Sequence, residues 1–227
     1  MNNTARAQTP ACADIRPPGA VAQSFLNCLN KSRHETQPFD YWLLEDALPR
    51  ADVEAILELP FAPPQDVVFN GRRETNNSTR VYFTRDNQDR FAVCRRIVEG
   101  FNSPDVRTAI ETVTGADLSD AHLRIEYCQD APGFWLEPHT DIRVKKFTML
   151  VYLSDDPALR LAGTDIYEGP PDLKYVTSAP FGQNLGVIFI PASNTWHGAG
   201  HHPLQRLRRS IIINYVTSAW NDKWELA

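Results

Sequence analysis

The sequence predicts a mainly β, α+β fold: a jelly-roll core in the C-terminal half, with helices from the N-terminal half packed on its outside. Three observations carry this. From about Leu123 onward, runs that alternate or are rich in β-branched residues recur at 122–127, 147–153, 185–190 and 210–216. Between them stand turn-forming clusters such as Ser154-Asp155-Asp156-Pro157 and Gly169-Pro170-Pro171-Asp172. Helical periodicity, in contrast, is confined to the part before residue 120. Several short strands with such punctuation are the pattern of a jelly-roll barrel.

Taken in order, residues 1–36 read as a flexible tail. Pro10, Pro17, Pro18 and Gly19 are mixed there with polar residues, and only 21–29 has the spacing of a short helix. The globular part, 37–227, is expected to be one domain. Its helical support covers about 37–120 and its barrel core about 121–220. The support opens at Phe39-Asp40-Tyr41-Trp42. Pro49 then precedes an amphipathic helix over 51–57. A second helix is predicted over 90–101, with Phe91, Cys94, Ile97, Val98 and Phe101 on one face. A third covers 103–114 and ends at Gly115, a favourable C-cap residue.

At 227 residues the chain is long enough for one domain with a substantial core. Its net charge of -5 gives no electrostatic reason to expect nucleic acid or an anionic membrane as partner. Cys12, Cys28, Cys94 and Cys128 are far apart and form no CxxC pair, so free thiols are expected. The N-terminus lacks the apolar stretch of a signal peptide, and no run approaches membrane-spanning length. A cytoplasmic protein, monomer or homodimer, is the default expectation.

The chemistry is concentrated in Glu137-Pro138-His139-Thr140-Asp141. On an extended strand the side chains of His139 and Asp141 leave the same face, because Cβ direction alternates with period two. His197, in Asn194-Thr195-Trp196-His197-Gly198 after a long apolar run, is the candidate third ligand. Two histidines and one carboxylate leave about three open positions on an octahedral ion, which suits non-haem Fe(II). Arg208 and Ser210 follow on the next strand, where Arg208, Ser210, Ile212 and Asn214 share one face and Arg209 points the other way. His201 and His202 read as solvated loop residues, His122 as a strand-end residue and His34 as part of the tail. Trp135, Trp196 and Tyr127 are candidates for pocket walls, although aromatic residues beside barrel strands are more often core.

His139-Thr140-Asp141, the distal His197 and Arg208-Arg209-Ser210 shortly after it resemble the motif of the Fe(II)/2-oxoglutarate-dependent dioxygenases, in particular their prolyl-4-hydroxylase-like branch. The resemblance covers roughly residues 123–217. It implies a double-stranded β-helix core, Fe(II) held by His139, Asp141 and His197, and 2-oxoglutarate and O₂ as cosubstrates. Arg208 corresponds to the basic residue that grips the distal carboxylate of 2-oxoglutarate, with Ser210 assisting. Tyr152 matches a tyrosine that helps in some relatives. The retained Asp141 favours hydroxylation, or another oxidation, over halogenation, because related halogenases carry a small residue there. Succinate and CO₂ are then the coproducts.

Two other readings use the same residues. A metal-dependent hydrolase accounts for the triad but gives Arg208 and Ser210 no role. A non-catalytic cupin-like barrel accounts for the strands but not for three converging ligands. For the substrate, the polar stretch 69–80 offers Arg73, Asn77 and Arg80 as contacts to polar or anionic groups, or is simply a solvated loop. A small polar metabolite or biosynthetic intermediate is expected, not nucleic acid.

Overall fold

In the computed structural model the described residues are 19–72 and 80–227. The elements run α1 (Ala20–Lys31), β1 (Arg33–Glu35), β2 (Tyr41–Leu44), α2 (Arg50–Leu57), β3 (Arg80–Tyr82), α3 (Arg85–Arg90), α4 (Ala92–Asn102) and α5 (Pro104–Thr114). There follow β4 (His122–Asp130), β5 (Leu136–His139), β6 (Lys145–Tyr152), β7 (Asp165–Tyr167), β8 (Tyr175–Ser178), β9 (Gly186–Phe189), β10 (His197–Ala199) and β11 (Arg208–Val216). Among the described residues the strands form a seven-stranded sheet, β1-β2-β9-β6-β11-β4-β3, and a four-stranded sheet, β5-β10-β7-β8. All of these strand pairings are antiparallel. The larger sheet is helix-backed and the smaller one carries His139 and His197, the jelly-roll arrangement that the strand spacing predicts.

Period-two alternation gives the large sheet two different faces. Leu123, Ile125 and Tyr127 of β4, Phe147, Met149 and Val151 of β6, Ile188 of β9, and Ile211, Ile213 and Tyr215 of β11 share one face. Together with apolar side chains of α1, α2, α4 and α5 they form the main core. The opposite face carries Arg124, Glu126, Cys128 and Asp130 on β4, Thr148, Leu150 and Tyr152 on β6, and Arg208, Ser210, Ile212 and Asn214 on β11. Cross-strand register aligns them in rows: Asn214 lies opposite Arg124 and Thr148, and Ser210 opposite Cys128 and Tyr152. Most of this polar face is buried, which obliges its charges to find partners.

The helices begin and end where local chemistry directs them. Ser103 caps α5 by accepting from the Val106 N–H at 3.2 Å, Pro104 occupies the first turn, and Gly115 follows in the left-handed region at φ 73°. The helix predicted over 90–101 is broken at its start, because Phe91 is extended (φ -128°, ψ 111°) and separates α3 from α4. Cys28, Cys94 and Cys128 are buried free thiols, and Cys12 lies outside the described residues.

The expected tail boundary at residue 36 is corrected. Helix α1 presents Val21, Phe25, Cys28 and Leu29 at helical spacing, all buried in the main core. The Phe25 and Phe101 rings sit 4.9 Å apart. Gly100 on α4 permits this docking, since a Cβ there would stand 2.5 Å from a Val21 methyl. The proline-rich composition that suggested a tail belongs to the residues before α1. No helix among the described residues is long and apolar enough to cross a membrane. Phe25→Ala is expected to lower stability in urea unfolding by about 3–5 kcal/mol. A cost near zero would mean that α1 contributes nothing to the core.

Candidate metal centre and its anion pocket

Strands β5 and β10 pair so that His139 and His197 stand directly opposite each other. Their rings are 4.4 Å apart between centroids. β5 ends at His139, and Asp141 follows in the turn that leads to β6, so the strand places one ligand and the turn the other. One potential ligand atom from each of His139, Asp141 and His197 lies within 4.8 Å of the others. No other such three-residue group of His, Cys, Asp or Glu occurs among the described residues.

Both imidazoles are oriented by the same device. Nδ1 of His139 lies 2.9 Å from the Glu137 carbonyl, and Nδ1 of His197 lies 2.9 Å from the Thr195 carbonyl. A neutral imidazole that donates from Nδ1 presents a lone pair at Nε2, the tautomer a metal requires. Burial pushes the His197 pKa down to about 4, and His139 and Lys145 act in the same direction against Asp141. This ring is therefore neutral at pH 7. The Phe189 ring packs 4.4 Å from His197 and closes the apolar side of the site. Two imidazole nitrogens and a carboxylate oxygen are a donor set that fits a divalent first-row ion such as Fe(II).

A cavity of about 70 Å³ runs inward from the triad over Leu150 and Ile212 to Arg208. There Arg208 Nη1 donates to Asp130 Oδ2 at 2.7 Å. Arg80 Nη1 lies 3.2 Å from the other oxygen of the same carboxylate. All three side chains are more than nine-tenths buried, at 6%, 1% and 8% exposed for Arg208, Asp130 and Arg80. The Arg208 guanidinium stacks over the Tyr152 ring at 5.4 Å. Among the described residues Arg208 Nε and the fully buried Ser210 Oγ have no hydrogen-bond partner. The floor of the cavity thus holds two guanidiniums on one carboxylate, with buried donors to spare.

The remaining sequence candidates fall in different places. Tyr152 is buried beneath Arg208, but its hydroxyl donates to Thr164 Oγ1 and accepts from the Thr164 N–H, both at 2.9 Å. Its ring, rather than its hydroxyl, meets the arginine. Arg80, expected in a polar loop, belongs to β3 and reaches the cavity floor. Arg73 and Asn77 lie outside the described residues. Trp135 does not wall the cavity: it is 42% exposed and covers Gly71, where φ is +78° and a Cβ would stand 2.2 Å from the indole. Tyr127 belongs to the helix-backed core. His201 is an exposed loop residue, as expected, that also stacks on Tyr175 at 3.5 Å, and its backbone N–H donates to Asp165 Oδ2 at 2.8 Å.

Sequence reasoning missed Lys145 and Thr148, which both contact Asp141, and Asp130, the partner of Arg208. Thr148 was reachable by stepping along β6 with period two from Tyr152. The pairing of Asp130 with Arg208 depends on cross-strand register, which no local pattern reveals.

No family profile matches the chain, and no curated protein matches it in sequence. Solved structures match its fold at low identity. One is a prolyl-4-hydroxylase from Pseudomonas putida (13% identity, TM-score 0.56, 87% of this chain and 98% of that one). Another is a prolyl 4-hydroxylase from Phytophthora capsici (14% identity, TM-score 0.58, 91% and 67%). A third is SnoN, a non-haem alpha-ketoglutarate-dependent epimerase from nogalamycin biosynthesis (16% identity, TM-score 0.51, 88% and 83%). These likenesses establish a shared fold.

Co(II) is expected to bind at one ion per chain. His139→Ala should weaken it by more than the ~10–100-fold typical of losing an outer-shell partner, with the urea midpoint held. Asp141→Ala should weaken it as much and also lower the midpoint, because it leaves the buried Lys145 ammonium without its carboxylate. Full Co(II) affinity in either variant would remove the triad as the metal centre.

Proposed function

We propose that this chain is an Fe(II)- and 2-oxoglutarate-dependent oxygenase that hydroxylates a small polar metabolite or biosynthetic intermediate. One observation carries the reading: a His/Asp/His ligand set and a buried two-arginine floor stand at opposite ends of one cavity. The charges lining that cavity are Arg80, Lys145 and Arg208 against Glu126, Asp130 and Asp141, three of each sign. Arg124 and Glu225, which pair with each other behind Glu126, leave the balance unchanged. A dication and a dicarboxylate entering together preserve neutrality, whereas either alone leaves two uncompensated charges in a desolvated site.

His139, Asp141 and His197 would hold the metal, with Nε2 of each ring fixed towards it by the Nδ1 contacts. Arg208 would grip the distal carboxylate of 2-oxoglutarate. Its guanidinium offers a planar two-pronged donor, and Asp130 and the Tyr152 ring hold that plane in place. Ser210 Oγ, next on the same strand face, supplies a further donor. Bound together, the metal and cosubstrate supply the oxidising chemistry, in which 2-oxoglutarate and O₂ become succinate and CO₂ while one oxygen atom enters a substrate C–H bond. The protein orients both and keeps the inner end dry. A hydrolase working through the same triad would leave Arg80 and Arg208 without a task.

The substrate would enter through an open groove of about 480 Å³ that leads to His139 and Asp141 from outside. Its walls combine the exposed Arg72 and Glu137 with Thr140, Leu136 and Ile142. Such a volume suits a metabolite-sized molecule, and the mixed charges suit a polar one. The wall formed by Gly71 and Arg72 is held against β5 by the Glu137 N–H, which donates to the Gly71 carbonyl at 2.9 Å.

Succinate should form from 2-oxoglutarate only with Fe(II) and O₂ present, and a screen of polar metabolites should reveal those that accelerate it. Arg208→Ala should raise the 2-oxoglutarate requirement by about 30-fold or more, the scale of a lost buried charge partner, with metal binding retained. Arg209→Ala, on the opposite strand face, should leave that requirement unchanged. The reverse pattern, or no succinate under any condition, contradicts the reading.

A further inference from the structure

Both oxygens of the Asp141 carboxylate are already engaged by neighbouring side chains. Lys145 Nζ stands 2.5 Å from Oδ1, and Thr148 Oγ1 stands 2.7 Å from Oδ2. The contacts are dry: the Lys145 and Asp141 side chains are 3% and 1% exposed, and Thr148 is buried as well. Thr148 has a single hydroxyl hydrogen, and the shorter contact to the charged oxygen claims it. The Asn214 amide oxygen, 3.1 Å from Thr148 Oγ1, then lacks that donor. Asn214 Nδ2 meanwhile has no acceptor among the described residues. An amide turned by 180° meets both needs: Nδ2 donates to Thr148, and Thr148 donates to Asp141. Asn214 and Thr148 are register partners on β11 and β6, so two rigid strands hold the relay.

We propose that Lys145 and Thr148 are positioning residues that restrict Asp141 to one-oxygen ligation of the metal. The inference rests on the oxygenase reading above. An octahedral ion has six positions; two histidines and one carboxylate oxygen leave three. A cosubstrate that chelates through two atoms leaves one for a small gas molecule. A carboxylate closing on the ion with both oxygens would take that last position. The ammonium on Oδ1 opposes such closure in two ways. It occupies an acceptor site on that oxygen, and it repels a dication approaching the same atom. Oδ2, held by a neutral hydroxyl, remains the better donor. Asn214 fixes the direction of that hydroxyl.

Nitric oxide bound anaerobically to the protein loaded with Fe(II) and 2-oxoglutarate, and followed by electron paramagnetic resonance, reports the last open position. Lys145→Met, which removes that repulsion, should bind Fe(II) at least as tightly as the wild type yet, at saturating 2-oxoglutarate, lose about tenfold or more in nitric oxide affinity, the scale on which outer-shell partners act. Lys145→Arg, which keeps the cation, should recover most of that loss. Thr148→Val, which keeps the side-chain shape, should shift nitric oxide affinity in the same direction, and it carries the test if Lys145→Met does not fold. Unchanged nitric oxide affinity in the folded variants overturns the proposal, as does a fall in Fe(II) affinity large enough to account for the whole effect. A wild-type protein that fails to take up Fe(II) and 2-oxoglutarate together overturns the functional reading itself, and this inference with it. That outcome is visible before any variant is made.

Discussion

Asp130, held between Arg80 and Arg208, is the interaction around which the interior is arranged. Three strands converge on it: β3 brings Arg80, β4 the carboxylate and β11 Arg208. Ion pairs this deeply buried are weak contributors to stability compared with apolar packing, because desolvating each charge is costly. Their presence on the inner sheet face is therefore better explained by what that face must hold. Stability comes instead from the other face, where Ile125, Met149, Ile188, Ile213 and their neighbours meet the helices. The large sheet divides the labour: one surface folds the protein and the other equips a cavity. Period-two alternation makes this division possible on the same strands.

The two ends of the cavity are built by different means. At the outer end, local geometry does the work: each histidine is steered by the carbonyl two residues before it. At the inner end, long-range pairing does it, since Asp130 and Arg208 are 78 residues apart in sequence. Between them Leu150 and Ile212 provide an apolar lining. A ligand with two charged ends and a short aliphatic middle is the shape that such a cavity complements. The Asp141 cluster joins the ends to the scaffold, because Thr148 and Asn214 stand on the same two strands that carry Tyr152 and Arg208.

This contrast also explains what was legible in the sequence. His139, Asp141 and His197 stood out because strand period and motif spacing are local properties, and the structure brings them together. The shared face of Arg208, Ser210, Ile212 and Asn214 followed from the same period. Arg80 was visible as a candidate but placed in a loop, since its destination depends on β3 pairing with β4. No local pattern singles out Lys145; only the fold shows its ammonium against Asp141. Tyr152 was found by position, yet its hydroxyl is committed to Thr164, a contact that requires β7 and β6 to approach across the barrel. Helix α1 was underrated because the prolines before it and the polar residues within it mask four buried apolar residues.

The central claim is that one dicarboxylate bridges the metal ligands and the arginine floor, so that metal and cosubstrate are held as a neutral pair. Calorimetric titration of 2-oxoglutarate into the protein with and without a redox-inert dication such as Mn(II), under anaerobic conditions, tests it most directly. The account predicts that the metal tightens 2-oxoglutarate binding by about tenfold or more, a coupling of about 1.4 kcal/mol. Equal affinity with and without the metal would contradict it.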